Sequence, residues 1–238
     1  SYTPYLRQLV DDIFLGSLNY FNKLNERSAW ATTLKYFSYG NVQFNDMMSG
    51  TIIDQGSKRP NEITVDLSYS LKLSEKFAMA VAGRFLRSDL KIHTDMDATS
   101  ANSLGVDIAG FYQGDTFDMG NLDGLIRAGF NISNIGPRLK YDEGGQMDFI
   151  PTNLKLGSGV DFIFDPSNVL GIYIEFSKLL VPTPVAYYDN NNQPQGYRQP
   201  DIDFFNGIFK SFNDAPGGTQ EELKEITWAL GLEYLFAK

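Results

Sequence analysis

Ile63, Val65, Leu67, Tyr69, Leu71 and Leu73 alternate with Thr64, Asp66, Ser68, Ser70 and Lys72. A strand turns successive side chains to opposite faces, so this segment carries one apolar face and one polar face. The pattern recurs in nine segments, at about 11–24, 28–39, 62–73, 77–88, 103–114, 124–134, 152–164, 169–179 and 225–236, and almost every charge in them falls on one parity. Most of these segments run ten residues or more. Strands of soluble domains usually have about five or six residues, whereas a tilted membrane strand needs about 9–11. The pattern therefore predicts an all-β chain, an antiparallel transmembrane β-barrel.

The connections support that topology. Asn25-Glu26-Arg27, Ser74-Glu75-Lys76, Asp118–Asp123 and Asp165-Pro166-Ser167-Asn168 are short and rich in turn formers. Between them lie long connections at about 40–61, 89–102, 135–151 and 180–224. Outer-membrane barrels have short turns on the periplasmic side and long loops outside. We read residues 1–238 as a single barrel domain. Nine strands is an odd number, while single-chain bacterial barrels are even, so the reading predicts that first and last strands are lacking.

Alternation alone does not separate a membrane barrel from a soluble β-sandwich, but the chemistry of the polar face does. That face carries Lys35, Asp66, Arg84, Asp107, Arg127, Lys155, Asp161, Glu175 and Glu233, interleaved with Gly105, Gly129, Gly157, Gly159, Gly171 and Gly231. Glycine is a poor strand residue on a water-facing surface. Small residues mixed with both signs of charge suit a crowded interior in which acids and bases pair. On the other parity no charge interrupts the centre of a face. The exceptions, Asp12, Arg87 and Lys178, lie at the long-loop ends, where a lipid headgroup would meet them. A basic residue at the lipid midplane costs about 2–4 kcal/mol and near the interface about 0–1 kcal/mol, so this placement suits lipid.

The net charge of −9 opposes a general nucleic-acid role. The chain has no cysteine, which removes disulfides, zinc thiolates and a cysteine nucleophile. No apolar run reaches the roughly 18 residues of a transmembrane helix, and no signal peptide is visible at Ser1-Tyr2-Thr3-Pro4.

Catalytic chemistry finds little support. His93 is the sole histidine and sits in a polar loop. Asp115, Asp118, Asn121 and Asp123 lack the spacing of a calcium loop and read as a turn. Asp95 with Asp97, and Asp201 with Asp203, read as solvated acids or a helix cap. Gly157-Ser158-Gly159 follows no strand-to-helix turn and is no nucleotide loop. The expectation is a non-enzyme with no catalytic residue, no metal site and no cofactor.

The least ordinary feature lies in the connection 180–224. There Phe204, Phe205, Ile208, Phe209 and Phe212 recur at helical spacing, with Asp201 or Asp203 placed to cap and Pro216-Gly217-Gly218 to end the helix. Two readings stand open. The phenylalanines pack inward over the barrel mouth, or they form a patch for a partner or a membrane.

Several strings are familiar. They include Tyr2-Thr3-Pro4-Tyr5-Leu6-Arg7, Asn25-Glu26-Arg27-Ser28-Ala29 and the run Leu34–Phe44. Further along come Ile132–Pro137, Asp148-Phe149-Ile150-Pro151-Thr152-Asn153-Leu154-Lys155-Leu156-Gly157 and Lys178-Leu179-Leu180-Val181-Pro182-Thr183-Pro184. Together they resemble the PorV (LptO) family of the type IX secretion system. The resemblance implies a barrel similar to the FadL fatty-acid transporters, about fourteen strands when complete and roughly nine here. It implies residence in the outer membrane and a non-enzymatic role. Its implied partners are a SprA-type translocon, the C-terminal domains of secreted cargo and a PorU-type sortase complex, besides outer-membrane lipid. Contacts are expected in the long loops 41–61, 135–151 and 180–224. The alternative is a FadL-like transporter of hydrophobic small molecules.

Overall fold

The computed structural model describes all residues except 7–11, 49–50, 91–99, 141–146, 189–192 and 237–238. His93, Asp95 and Asp97 therefore lie outside the described residues. The strands are β1 (Tyr2–Pro4), β2 (Ile13–Lys23), β3 (Ser28–Tyr39), β4 (Val42–Met48), β5 (Thr51–Lys58), β6 (Asn61–Lys72), β7 (Phe77–Asp89) and β8 (Ala101–Asp118). They continue with β9 (Asp123–Ile135), β10 (Leu139–Lys140), β11 (Met147–Asp148), β12 (Asn153–Asp165), β13 (Asn168–Leu179), β14 (Val185–Tyr188), β15 (Pro194–Arg198) and β16 (Thr227–Phe236). Two short helices, α1 (Phe204–Lys210) and α2 (Thr219–Lys224), precede β16.

All nine expected strands are present, and they pair antiparallel in one sheet ordered β1-β2-β3-β6-β7-β8-β9-β12-β13-β16. The short β1 adds a tenth. The sheet is consistent with a β-barrel but is not closed, since β1 and β16 stand at its two ends. Among the described residues no helix is long and apolar enough to cross a membrane. The connections 40–61, 135–151 and 180–224 each fold back on themselves, as the hairpins β4–β5, β10–β11 and β14–β15.

Side-chain burial decides between barrel and sandwich. A soluble sandwich buries its apolar parity. Here that parity is the exposed one: Leu18, Leu67, Val81, Leu104, Leu156, Phe176 and Leu232 all stand on the surface. Among the described residues the buried apolar side chains are few: Ala101, Leu125, Leu139, Ile150 and Leu180, with Pro60, Pro182 and Pro200. An apolar face that points outward along the sheet fits the wall of a β-barrel and is compatible with a lipid environment.

On the other face the acids and bases pair as charges in a crowded interior must. Arg84 sits between two acids, with Nε 2.6 Å from Asp66 Oδ1 and Nη2 2.9 Å from Asp107 Oδ2. It also donates to Asn134 Oδ1. Arg127 meets Asp161 at 2.7 Å, and Lys155 meets Glu175 at 2.8 Å. The glycines explain the crowding. Tyr173 opposes Gly159 across the β12–β13 pair. Its ring covers both Gly159 and Gly171, so that a Cβ at either position would overlap it. From there the Tyr173 hydroxyl donates to the buried Asp161 at 2.6 Å. Gly159→Val is expected to displace the ring and cost about 1–3 kcal/mol as overpacking. Urea unfolding followed by heat-modifiable gel mobility checks this. In a Tyr173→Ala background the same substitution should cost less but still something, since the ring is gone while the Ile172 carbonyl remains 2.8 Å from the new Cβ.

Candidate functional site

The region that departs most from a plain wall is the long-loop end, where two connections assemble into a cap. Its inner half begins at a bulge. The β8–β9 register shifts between Val106 and Ile108, and Asn134 opposite them adopts φ 59°. A left-handed conformation is uncommon for a non-glycine residue and needs support. Asn134 has it on every side. Its N–H donates to Asp107 Oδ1 at 2.8 Å, and its Nδ2 to the Pro151 carbonyl at 3.0 Å. Its own carbonyl accepts from Thr152 Oγ1 at 2.7 Å.

Beyond the bulge the chain leaves the sheet and turns over the charged face. Leu139 and Ile150 pack with Ala101 and Leu86, which share the face of Arg84 and Asp107. Leu139 and Ile150 thus cover part of the charged side at this end.

α1 stacks on that loop. Asp203 is its cap, as the sequence suggested, and accepts from the Asn206 N–H at 3.0 Å. That hydrogen bond holds the Asp203 carboxyl below its ordinary range. Gly207 rests against Phe149, where a Cβ would come within 2.7 Å of the ring. Arg138 lies over the same ring, 4.8 Å from its centroid. It also donates to Asp201 Oδ1 at 3.2 Å and to the Ile202 carbonyl at 3.3 Å.

The helical positions then sort by face. Gly207 and Ser211 are buried, and Phe204 and Ile208 beside them are half-buried. Phe205, Phe209 and Phe212 are 57%, 73% and 48% exposed. The inward reading holds for two of the positions and not for the other three. Two of the five residues seat the helix, and three present one aromatic face outward.

Pro216-Gly217-Gly218 does not end α1, which stops at Lys210 with Ser211 as its C-cap. These residues lead instead into α2, which sequence reasoning missed. Its signal was Glu221 and Glu222 in the first turn with Lys224 in the last, the charge order a helix dipole favours.

α2 also corrects the expected role of Lys178. Only 7% exposed, Lys178 meets no headgroup. Its ammonium donates to Glu222 Oε2 at 2.9 Å and Glu225 Oε2 at 2.6 Å. A buried ammonium needs paired acids, and the cap supplies them. Glu222 Oε1 in turn accepts the N–H groups of Asp214 and Ala215 at 2.7 and 2.8 Å. Asp214 accepts from Thr183 N–H at 2.8 Å and Thr183 Oγ1 at 3.0 Å. This chain of bonds ties α2 and the residues between the helices to the end of β13.

The N–H of Ala215, then the Lys178 ammonium, hold the Glu222 carboxyl below its ordinary value of 4.5. A depressed carboxylate adds stability that is present above that value and is lost as pH falls through the depressed one. Cleavage of residues 212–218 by an acid-tolerant protease is therefore expected to stay constant from pH 8 to 5 and to rise below about pH 4. In Glu222→Gln it should be raised at every pH, with the acid-dependent increase much reduced.

The remaining candidates have structural employment. Asp115 pairs with Lys76, and Asp118 Oδ1 accepts the Gly120 N–H at 2.6 Å within its turn. Gly157-Ser158-Gly159 lies inside β12. Among the described residues no three histidine, cysteine or acidic side chains are grouped to hold a metal ion. The aromatic face of the cap is what remains without an internal use.

Comparison with known families matches residues 1–186 to the family model described as Type IX secretion system protein PorV. No curated protein matches the chain.

Proposed function

The chain belongs to the PorV family of type IX secretion system proteins, and from that premise we propose that it works in the outer membrane as a non-enzymatic shuttle for secreted proteins. In this reading it engages the SprA-type translocon, receives cargo through the cargo's C-terminal domain, and delivers it to the PorU-type attachment complex. The observation that carries the reading is the outward aromatic face of Phe205, Phe209 and Phe212. Exposed aromatic clusters on a well-anchored support are where binding energy in protein interfaces concentrates.

The FadL-like transporter is the weaker reading. It needs a path along the charged face, which Leu139, Ile150 and the Asp66–Arg84–Asp107 cluster partly cover at the loop end, although a cavity of about 620 Å³ lined by Arg127, Lys155, Glu175 and Glu233 lies on the same face. Purification of the tagged full-length protein in mild detergent, with the captured proteins identified, tests the proposal. Recovery of the translocon and of cargo bearing the C-terminal domain is expected. A preparation free of both, together with saturable uptake of a fatty acid by proteoliposomes, would favour the transporter instead.

A further inference from the structure

Resting on that reading, we infer that the partner seated on the aromatic face is a protein whose contact surface has an apolar centre ringed by basic side chains. Two observations lead there. The first is charge. Residues 200–226 hold six acids (Asp201, Asp203, Asp214, Glu221, Glu222 and Glu225) against two bases, Lys210 and Lys224. That net of −4 stands beside −9 for the whole chain, concentrated in about a ninth of its length. The acids flank the phenylalanines on both sides in sequence. Lys178 and Arg138 compensate only part of them, and Asp201 stands fully in solvent while it touches Arg138.

The second observation is position. α1 rests on the loop that covers the charged face of the sheet, through Gly207 on Phe149. Phe205 and Phe209, two residues either side of Gly207, therefore face away from that loop. An acidic segment is poorly suited to dip into a membrane, whose anionic headgroups it would repel. A basic protein surface gains from the same field, first as faster encounter.

The test separates rim from centre. Association of the full-length protein with a purified SprA-type translocon, and separately with a cargo C-terminal domain, is timed at low and high salt. Asp201→Asn, Asp203→Asn and Glu221→Gln together remove three charges while keeping each hydrogen-bond acceptor, and asparagine still caps a helix. This variant should associate about three- to tenfold more slowly at low salt and nearly normally at high salt with the partner that docks here. Lys210→Gln with Lys224→Gln should shift the rate the opposite way. Rates indifferent to both variants, with Phe209→Ser still abolishing binding, would overturn the basic rim and leave the docking reading standing. Undiminished binding by Phe209→Ser would overturn the docking reading itself.

The cysteine-free chain allows a membrane control. A bimane on Phe209→Cys should escape quenching by brominated lipid in proteoliposomes. Strong quenching would assign the face to lipid and refute the inference.

Discussion

Arg84→Leu is expected to destabilise the sheet by about 3–5 kcal/mol, the cost of breaking a buried ion pair from one side. The guanidinium sits between Asp66 and Asp107, both largely shielded from water. Its removal leaves two carboxylates facing each other and takes a donor from Asn134, the residue held in a left-handed conformation at the bulge. The loss should therefore reach the cap, since Asn134 also bonds to Pro151 and Thr152. Unfolding in urea measures it. Replacing the whole cluster, with Asp66→Leu and Asp107→Leu added to Arg84→Leu, should recover most of the loss, because the charges stranded by the single change are gone. A change below about 0.5 kcal/mol for Arg84→Leu would mean that the cluster is solvated and that the charged face is not a crowded interior.

The second large effect falls on binding instead of stability. Phe205→Ser, Phe209→Ser and Phe212→Ser together should weaken partner capture by at least about thirtyfold, since one aromatic hot spot alone contributes about 2 kcal/mol. Stability should move by no more than about 0.5 kcal/mol per site, as these side chains stand on the surface. Phe204→Ser with Ile208→Ser is the contrasting pair. These half-buried residues seat the helix, so the pair should loosen the cap and expose 200–218 to protease. Equal binding loss from both sets, with equal protease sensitivity, would mean that cap integrity and not the aromatic face is what partners require.

The wall was legible because a barrel strand writes its two solvents into alternate residues. Every predicted strand formed within two or three residues of its expected ends, except β8, which runs on to Asp118. Even the interior pairing followed from parity, since Arg84, Arg127 and Lys155 share a face with their acids. The loop end was legible only in part. Helical spacing identified α1, yet which phenylalanines turn outward depended on a glycine finding Phe149, more than fifty residues away in sequence. The role of Lys178 was hidden for the same reason. Its partners Glu222 and Glu225 reach it through a connection of over forty residues, and no local pattern announces such a contact. The inward fold of 135–151 likewise hangs on the bulge at Asn134, a register shift of one residue that alternation does not reveal.

The most direct measurement is photo-crosslinking from position 209 in living cells, with a benzophenone amino acid in place of Phe209 and the same probe at Leu232 on the apolar face as reference. Adducts to the type IX translocon or to cargo C-terminal domains should form from position 209 and not from position 232. No protein adduct from position 209, or the same adducts from both positions, would contradict the assignment of the cap as the docking face.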